Sequence, residues 1–150
     1  MSTTSEPTEV RPTGLTRDVG WEIGVSRTVN APLDVVWPFL TSDAGVAIWL
    51  GSDVSLPTTV GETYQTSEGT TGEIRSYHDR DRVRLRWRPA DWDHETTLQI
   101  AVTGGNSKTM IRLHQEHLAN GDERERMRAH WRAVLDRLSG DLSAGLRNGG

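Results

Sequence analysis

Toward the C-terminal end, Met127, Trp131, Val134, Leu135, Leu138 and Leu142 recur at i, i+4, i+7, i+8, i+11 and i+15. That spacing places six large apolar side chains on one stripe of a single long helix. A stripe of that length has to be covered, and the segment before it supplies the cover. There the apolar period falls from 3.6 to 2. Val83, Leu85 and Trp87 alternate with Arg82, Arg84, Arg86 and Arg88. Leu98, Ile100 and Val102 share one face of Thr96–Thr103, and Ile111 and Leu113 point inward from Thr109–His117. Trp21, Ile23, Val25 and Val29 share one parity, interrupted by Arg27. Each alternation predicts a half-buried strand. Val60–Ser67 and Thr71–His78 predict a hairpin around Glu68-Gly69-Thr70, and Asp53–Leu56 a short strand ended by Pro57.

Two short helices are expected after the first strand. Pro32 suits the first helical position and Asp34 the first turn, with Val36, Phe39 and Leu40 at helical spacing. Pro38 predicts a kink or an early end. A second helix is expected over Ala44–Leu50, closed by Gly51. Asn120 and Asp122 are the predicted caps of the long helix, with Glu123 and Glu125 in its first turn. About six or seven consecutive strands joined by short turns, plus these helices, define an α+β class with an antiparallel sheet.

A length of 150 residues predicts one domain. Residues 21–142 carry the periodic pattern. Met1–Gly20, rich in Ser, Thr, Glu and Pro, is expected to be a disordered tail, and Ser143–Gly150 a flexible one. The chain shows neither an apolar run of about 18 residues nor a signal-peptide core, so a cytoplasmic protein without membrane insertion is expected. Seventeen basic and 21 acidic residues give a net charge of −4, which argues against nucleic-acid binding. With no cysteine, disulfides, Cys-ligated zinc, iron–sulfur clusters and thiol nucleophiles are excluded. Lys108 is the only lysine, a bias expected of a GC-rich bacterial genome.

No nucleophile elbow, phosphate loop or dinucleotide fingerprint is present, and no catalytic residue or cofactor is assigned. His114 and His117 fall on opposite faces of a strand and cannot chelate together, so no metal site is assigned. Asp91-Trp92-Asp93-His94-Glu95 lacks the spacing and glycine of a calcium loop and is expected to be a solvated turn. Arg80, Arg82, Arg84, Arg86 and Arg88 form a stripe expected to pair with carboxylates such as Glu73 or Glu95.

The order of motifs resembles a known family. Val25-Ser26-Arg27-Thr28-Val29-Asn30-Ala31-Pro32, followed by Val36-Trp37, resembles the opening of the family related to the activator of the heat-shock-protein-90 ATPase. Trp49-Leu50-Gly51, Val60-Gly61-Glu62-Thr63-Tyr64, Gly72-Glu73-Ile74, Arg82–Trp87 and the helix bearing His130-Trp131 continue the likeness across residues 21–142. His130 stands where the family often has glycine. The family belongs to the START-related helix-grip group, so the resemblance implies a curved sheet wrapped around the C-terminal helix. It also implies an apolar cavity between them that binds a lipid- or polyketide-like molecule. Residues expected to line it are Trp49, Tyr64, Trp87, Leu98, Ile100, Leu113, Met127 and Trp131, with Tyr64, Thr96 and His130 as polar groups. A cyclase- or hydrolase-type enzyme in the same cavity, with His130 as its ionisable group, and a protein-interaction module are the alternatives.

Overall fold

The computed structural model describes residues 15–16 and 20–149, with side chains from 20 to 144. Its elements run β1 (Leu15–Thr16), β2 (Gly20–Val29), α1 (Leu33–Thr41), α2 (Asp43–Trp49), β3 (Thr63–Gln65), β4 (Thr71–His78), β5 (Arg82–Trp87), β6 (Thr96–Gly104), β7 (Thr109–Leu118) and α3 (Gly121–Gly149). The strands form one antiparallel sheet in the order β1-β2-β7-β6-β5-β4-β3. Consecutive strands pair except where the two short helices carry the chain across, so β2 closes against β7. α3 lies on the apolar face, against β2, β7 and α2.

The alternating residues face as their parity requires. Val83, Leu85 and Trp87 are buried, as are Leu98, Ile100, Ile111 and Leu113. From α3, Met127, Trp131, Val134, Leu135, Leu138 and Leu142 fill the space between helix and sheet. The register shifts twice, between Ile74 and Ser76 on β4 and between Trp21 and Ile23 on β2, where His117 of β7 takes φ 69. The extra residue turns Leu118 inward after Gln115.

Several expectations are corrected. Pro32 is the N-cap of α1, its carbonyl accepting from Val35 and Val36. α1 runs past Pro38 to Thr41; the helical bond the proline omits leaves a carbonyl at Asp34, whose side chain is largely exposed. Asp53–Leu56 is loop, and among the described residues no strand pairs with it. β3 is shorter than Val60–Ser67 because Thr66 is drawn into the turn, its N–H bonding the Thr70 carbonyl and its hydroxyl accepting from the Thr70 N–H. At the other end Leu15–Thr16 and Gly20 pair as strand within the segment read as a tail, while residues 1–14 and 17–19 lie outside the described residues. α3 continues through Gly149 rather than stopping at Leu142. Ala144, Leu146 and Arg147 favour helix, and extending an existing helix costs far less than starting one.

Ser42 joins the two short helices. Its hydroxyl accepts from the Gly45 N–H at 3.1 Å and donates to the Phe39 carbonyl at 2.6 Å. A Cβ at Gly45 would sit 1.9 Å from the Phe39 oxygen, so only glycine permits this approach. The Trp49 indole N–H then bonds the Leu40 carbonyl at 2.8 Å and fixes α2 to α1.

Candidate functional site

Between α2, the β3–β4 turn and α3 lies a recess of about 220 Å³. Ile48, Trp49 and Leu50 line one side, Trp87 and His130 another, with Glu68 and Thr70 at its border. Trp49 and Trp87 arrive from elements formed by unrelated local signals, a capped helix and an alternating strand. His130 projects from α3 next to Trp131, ring centroids 4.5 Å apart, and 6.5 Å from the Trp87 ring.

Trp87 is the centre of an aromatic cluster. Trp131 lies 5.4 Å away and Trp92 meets it edge-on at 5.4 Å. Its indole N–H is buried and has no hydrogen-bond partner among the described residues. Leaving such a donor unmade costs about 1–3 kcal/mol. By contrast the N–H groups of Trp37, Trp49 and Trp131 are bonded to Asp79, the Leu40 carbonyl and Gln115. His130, desolvated by its surroundings, is held below the ordinary imidazole range and is neutral at pH 7. The recess therefore offers two indole walls and a neutral imidazole, and one of its lining residues, Trp87, carries a buried donor without a partner among the described residues.

Only Trp49, Trp87 and His130 of the expected lining residues meet there. Leu98, Ile100, Met127 and Trp131 are packed into the core, and Leu113, also buried, adjoins a groove on the other face of the sheet. Tyr64 borders a separate depression beside Glu95. Its hydroxyl donates to the Arg86 carbonyl at 2.5 Å, and burial first, then the charge of Glu95, pushes its phenol far above the ordinary value. Thr96 is committed as well. The Trp131 N–H bonds Gln115 Oε1 at 2.7 Å, Gln115 Nε2 bonds the Thr96 hydroxyl at 2.9 Å, and that hydroxyl bonds the Trp87 carbonyl at 2.7 Å. This chain ties α3 through β7 and β6 to β5 and satisfies each of its side chains. Gln115 was missed as a site residue, although its parity with Ile111 and Leu113 marks it as an inward polar group.

The Asp91–Glu95 segment is no free solvated turn. His94 stacks on Trp92 at 4.9 Å and binds Asp93 at 2.9 Å and the buried Glu123 carboxylate at 2.7 Å. On the outer face His114 does not meet His117. It meets Glu22 at 2.5 Å and Glu116 at 3.6 Å, an array whose ligand atoms lie within 4.8 Å. Arg84 also holds Glu116, at 2.6 Å, which extends the array to β5. Of the arginine stripe, Arg86 pairs with Glu95 as expected, while Glu73 is taken by Arg75.

An antiparallel sheet closed on a long C-terminal helix, with two short helices after its first long strand and a recess between them, defines a helix-grip domain of the START-related group. The chain belongs to the Activator of Hsp90 ATPase homolog 1-like family, whose model matches residues 30–142. Among solved structures it is similar to DynU16, a protein of the dynemicin biosynthetic locus (27% identity, TM-score 0.70, 83% of this chain covered). The match spans about half of DynU16, 48% of that chain. The HSP90 activator PFC0360w from Plasmodium falciparum aligns at 16% identity, TM-score 0.69, over 81% of this chain and 96% of its own. CalU16 from Micromonospora echinospora aligns at 15% identity, TM-score 0.66, over 85% and 79%. No curated protein matches the sequence. Among the described residues no helix is long and apolar enough to cross a membrane.

Proposed function

We propose that the chain binds a small, mainly apolar molecule carrying a hydrogen-bond acceptor, held in the recess between α2 and α3. The unpartnered N–H of Trp87 carries this reading. An acceptor on the ligand would restore the bond that the fold leaves unmade, while the indole faces and Ile48 bury its apolar part. A volume of about 220 Å³ is below the roughly 300–1,000 Å³ of sites for drug-sized ligands. It suits one ring system, or the end of a longer lipid- or polyketide-like chain. The likeness to DynU16, from a natural-product biosynthetic locus, supports that class.

Neutral His130 on the same wall favours a second reading, a cyclase- or hydrolase-type step in which its imidazole accepts a proton. Unchanged turnover in His130→Phe would remove it.

Native mass spectrometry of gently purified protein, compared with the denatured mass, tests the binding reading. A discrete excess mass lost on denaturation is expected, together with a shift of the Trp87 indole N–H resonance when fatty acids and aromatic polyketides are added. A bare protein whose Trp87 resonance ignores the whole panel would overturn it.

A further inference from the structure

We propose that Glu22, His114 and Glu116 form a binding site for a divalent transition-metal ion on the sheet face away from α3. Strand alternation brings them to one face. His114 and Glu116 share a parity on β7 and leave the apolar face to Leu113 and Gln115. Gly24 pairs with His114 across β2, so Glu22, of the same parity as Gly24, lies on that face too. The register shift between Trp21 and Ile23 falls at Glu22 and sets it against both Glu116 and His117. Bulges of this kind re-aim side chains and are common beside functional sites.

The three side chains converge. His114 Nε2 lies 2.5 Å from Glu22 Oε1, and His114 Nδ1 lies 3.6 Å from Glu116 Oε2. With one donor atom taken from each residue, all three lie within 4.8 Å of one another. Among the described residues this is the one group of metal-ligating side chains so placed. Zinc bonded to imidazole nitrogen and carboxylate oxygen at about 2.0–2.2 Å spaces tetrahedral ligands by roughly 3.4 Å. The spacing of His114 and Glu116 already fits. His114 and Glu22 are closer because a proton, not a metal, joins them. An ion replacing that proton requires the pair to open by roughly 1 Å, which the partly exposed Glu22 side chain can supply.

The neighbours orient these donors as the surroundings of a metal site must. Arg84 holds Glu116 Oε1 at 2.6 Å, and Oε2 is the oxygen that faces His114. Arg124 Nε holds the Glu22 carbonyl at 2.8 Å and fixes the backbone there. Gly24 sets no side chain against the imidazole, and even a Cβ would stop 3.8 Å from His114 Cδ2. His114 also borders a groove of about 380 Å³, a route for an ion from solvent and space for water to complete its coordination. One imidazole with two carboxylates suits zinc or iron(II) over the calcium and magnesium that all-oxygen sites select. A bound ion would clamp β2 to β7, the pairing that joins the first long strand to the last.

Calorimetric titration of zinc chloride into the full chain, in a buffer that does not bind zinc, tests the site. One equivalent should bind saturably, and magnesium at the same concentration should not displace it. Glu22→Gln, His114→Gln and Glu116→Gln should each weaken binding at least tenfold, whereas His78→Gln, exposed on β4, should leave it unchanged. Glu22→Gln keeps the backbone contact to Arg124, so its zinc-free melting point should stay near the parent's and separate lost binding from lost folding. Zinc should move the His114 ring resonances and leave those of His94 and His130 in place. No saturable binding, several weak equivalents, or binding that survives all three substitutions would overturn the proposal. Binding lost in His94→Gln instead, or zinc displaced by magnesium, would overturn it too.

Discussion

His94 Nε2 lies 2.7 Å from one carboxylate oxygen of Glu123 and 2.9 Å from the other. This contact joins the β5–β6 loop to the first turn of α3. Glu123 is only 3% exposed, and its carboxylate also accepts from the Ala119 N–H at 3.1 Å. Its own N–H bonds the Asn120 side chain at 2.8 Å. One carboxylate therefore caps the helix, complements its dipole and anchors the loop that carries Trp92 against Trp87.

That anchor makes stability pH-dependent. Burial alone would push the His94 imidazolium down, but the hydrogen bonds and charges of Asp93 and Glu123 outweigh it and hold the group above its ordinary 6.5. A raised folded-state value means the stabilisation is complete below about 6.5 and is lost as pH rises through the folded value. His94→Gln should cost about 1–3 kcal/mol at pH 6, the range for an under-satisfied buried acceptor, and less at pH 8.5. Urea denaturation of both proteins at the two pH values checks this. An equal cost at both would show that the pair is not ionic.

His130 acts with the opposite sign. Desolvation lowers its folded-state value, so its contribution is present above about 6.5 and is lost as pH falls through that lowered value. His130→Phe should flatten the acid side of the stability profile without touching the basic side. An NMR titration should place the half-point of the His130 ring below 6.5, whereas a half-point at or above 6.5 would contradict its burial.

Gln115 should be among the least replaceable polar residues. Gln115→Leu fills similar space but orphans the Trp131 N–H and strips the Thr96 hydroxyl of its donor. Two under-satisfied buried groups imply a loss of roughly 2–4 kcal/mol, read from the denaturation midpoint. In the double variant Gln115→Leu, Trp131→Phe, part of that loss should return, because the orphaned donor is gone.

Much of the fold was legible because parity and helical spacing are properties of neighbouring residues. Val83, Leu85 and Trp87 announce β5, and the stripe from Met127 to Leu142 announces α3. The junction at Ser42 and Gly45 was not legible, since it depends on the Phe39 carbonyl approaching from another helix. The site was read less well for the same reason. Trp49, Trp87 and His130 were named, but which large side chains would fill the cavity and which would line it depends on three-dimensional packing. Leu98, Met127 and Trp131 fill it. His94 was read as solvated because its partner, Glu123, lies far along the chain.

Gly72 should tolerate no side chain. A Cβ there would lie 1.8 Å from the Arg86 carbonyl oxygen and 2.4 Å from the Tyr64 hydroxyl, the two atoms that bond each other. Gly72→Ala must open the β4–β5 edge or expel Tyr64, at about 3 kcal/mol or more. A variant that melts within a degree of the parent would mean the strands separate there at little cost.

The orphaned indole gives the sharpest test of the recess. Trp49→Phe and Trp131→Phe each lose ring area and a made hydrogen bond, and each strands a buried acceptor. Trp87→Phe loses similar area but removes a donor that has no partner, which returns about 1–3 kcal/mol. In the ligand-free protein Trp87→Phe should therefore be within about 1 kcal/mol of the parent, while the other two fall further. On adding whichever fatty acid or polyketide shifts the parent's melting point, the order should reverse, with Trp87→Phe gaining least. If Trp87→Phe is as damaging as Trp49→Phe without ligand, the indole N–H is not orphaned in solution. The recess then loses the group that would orient a ligand.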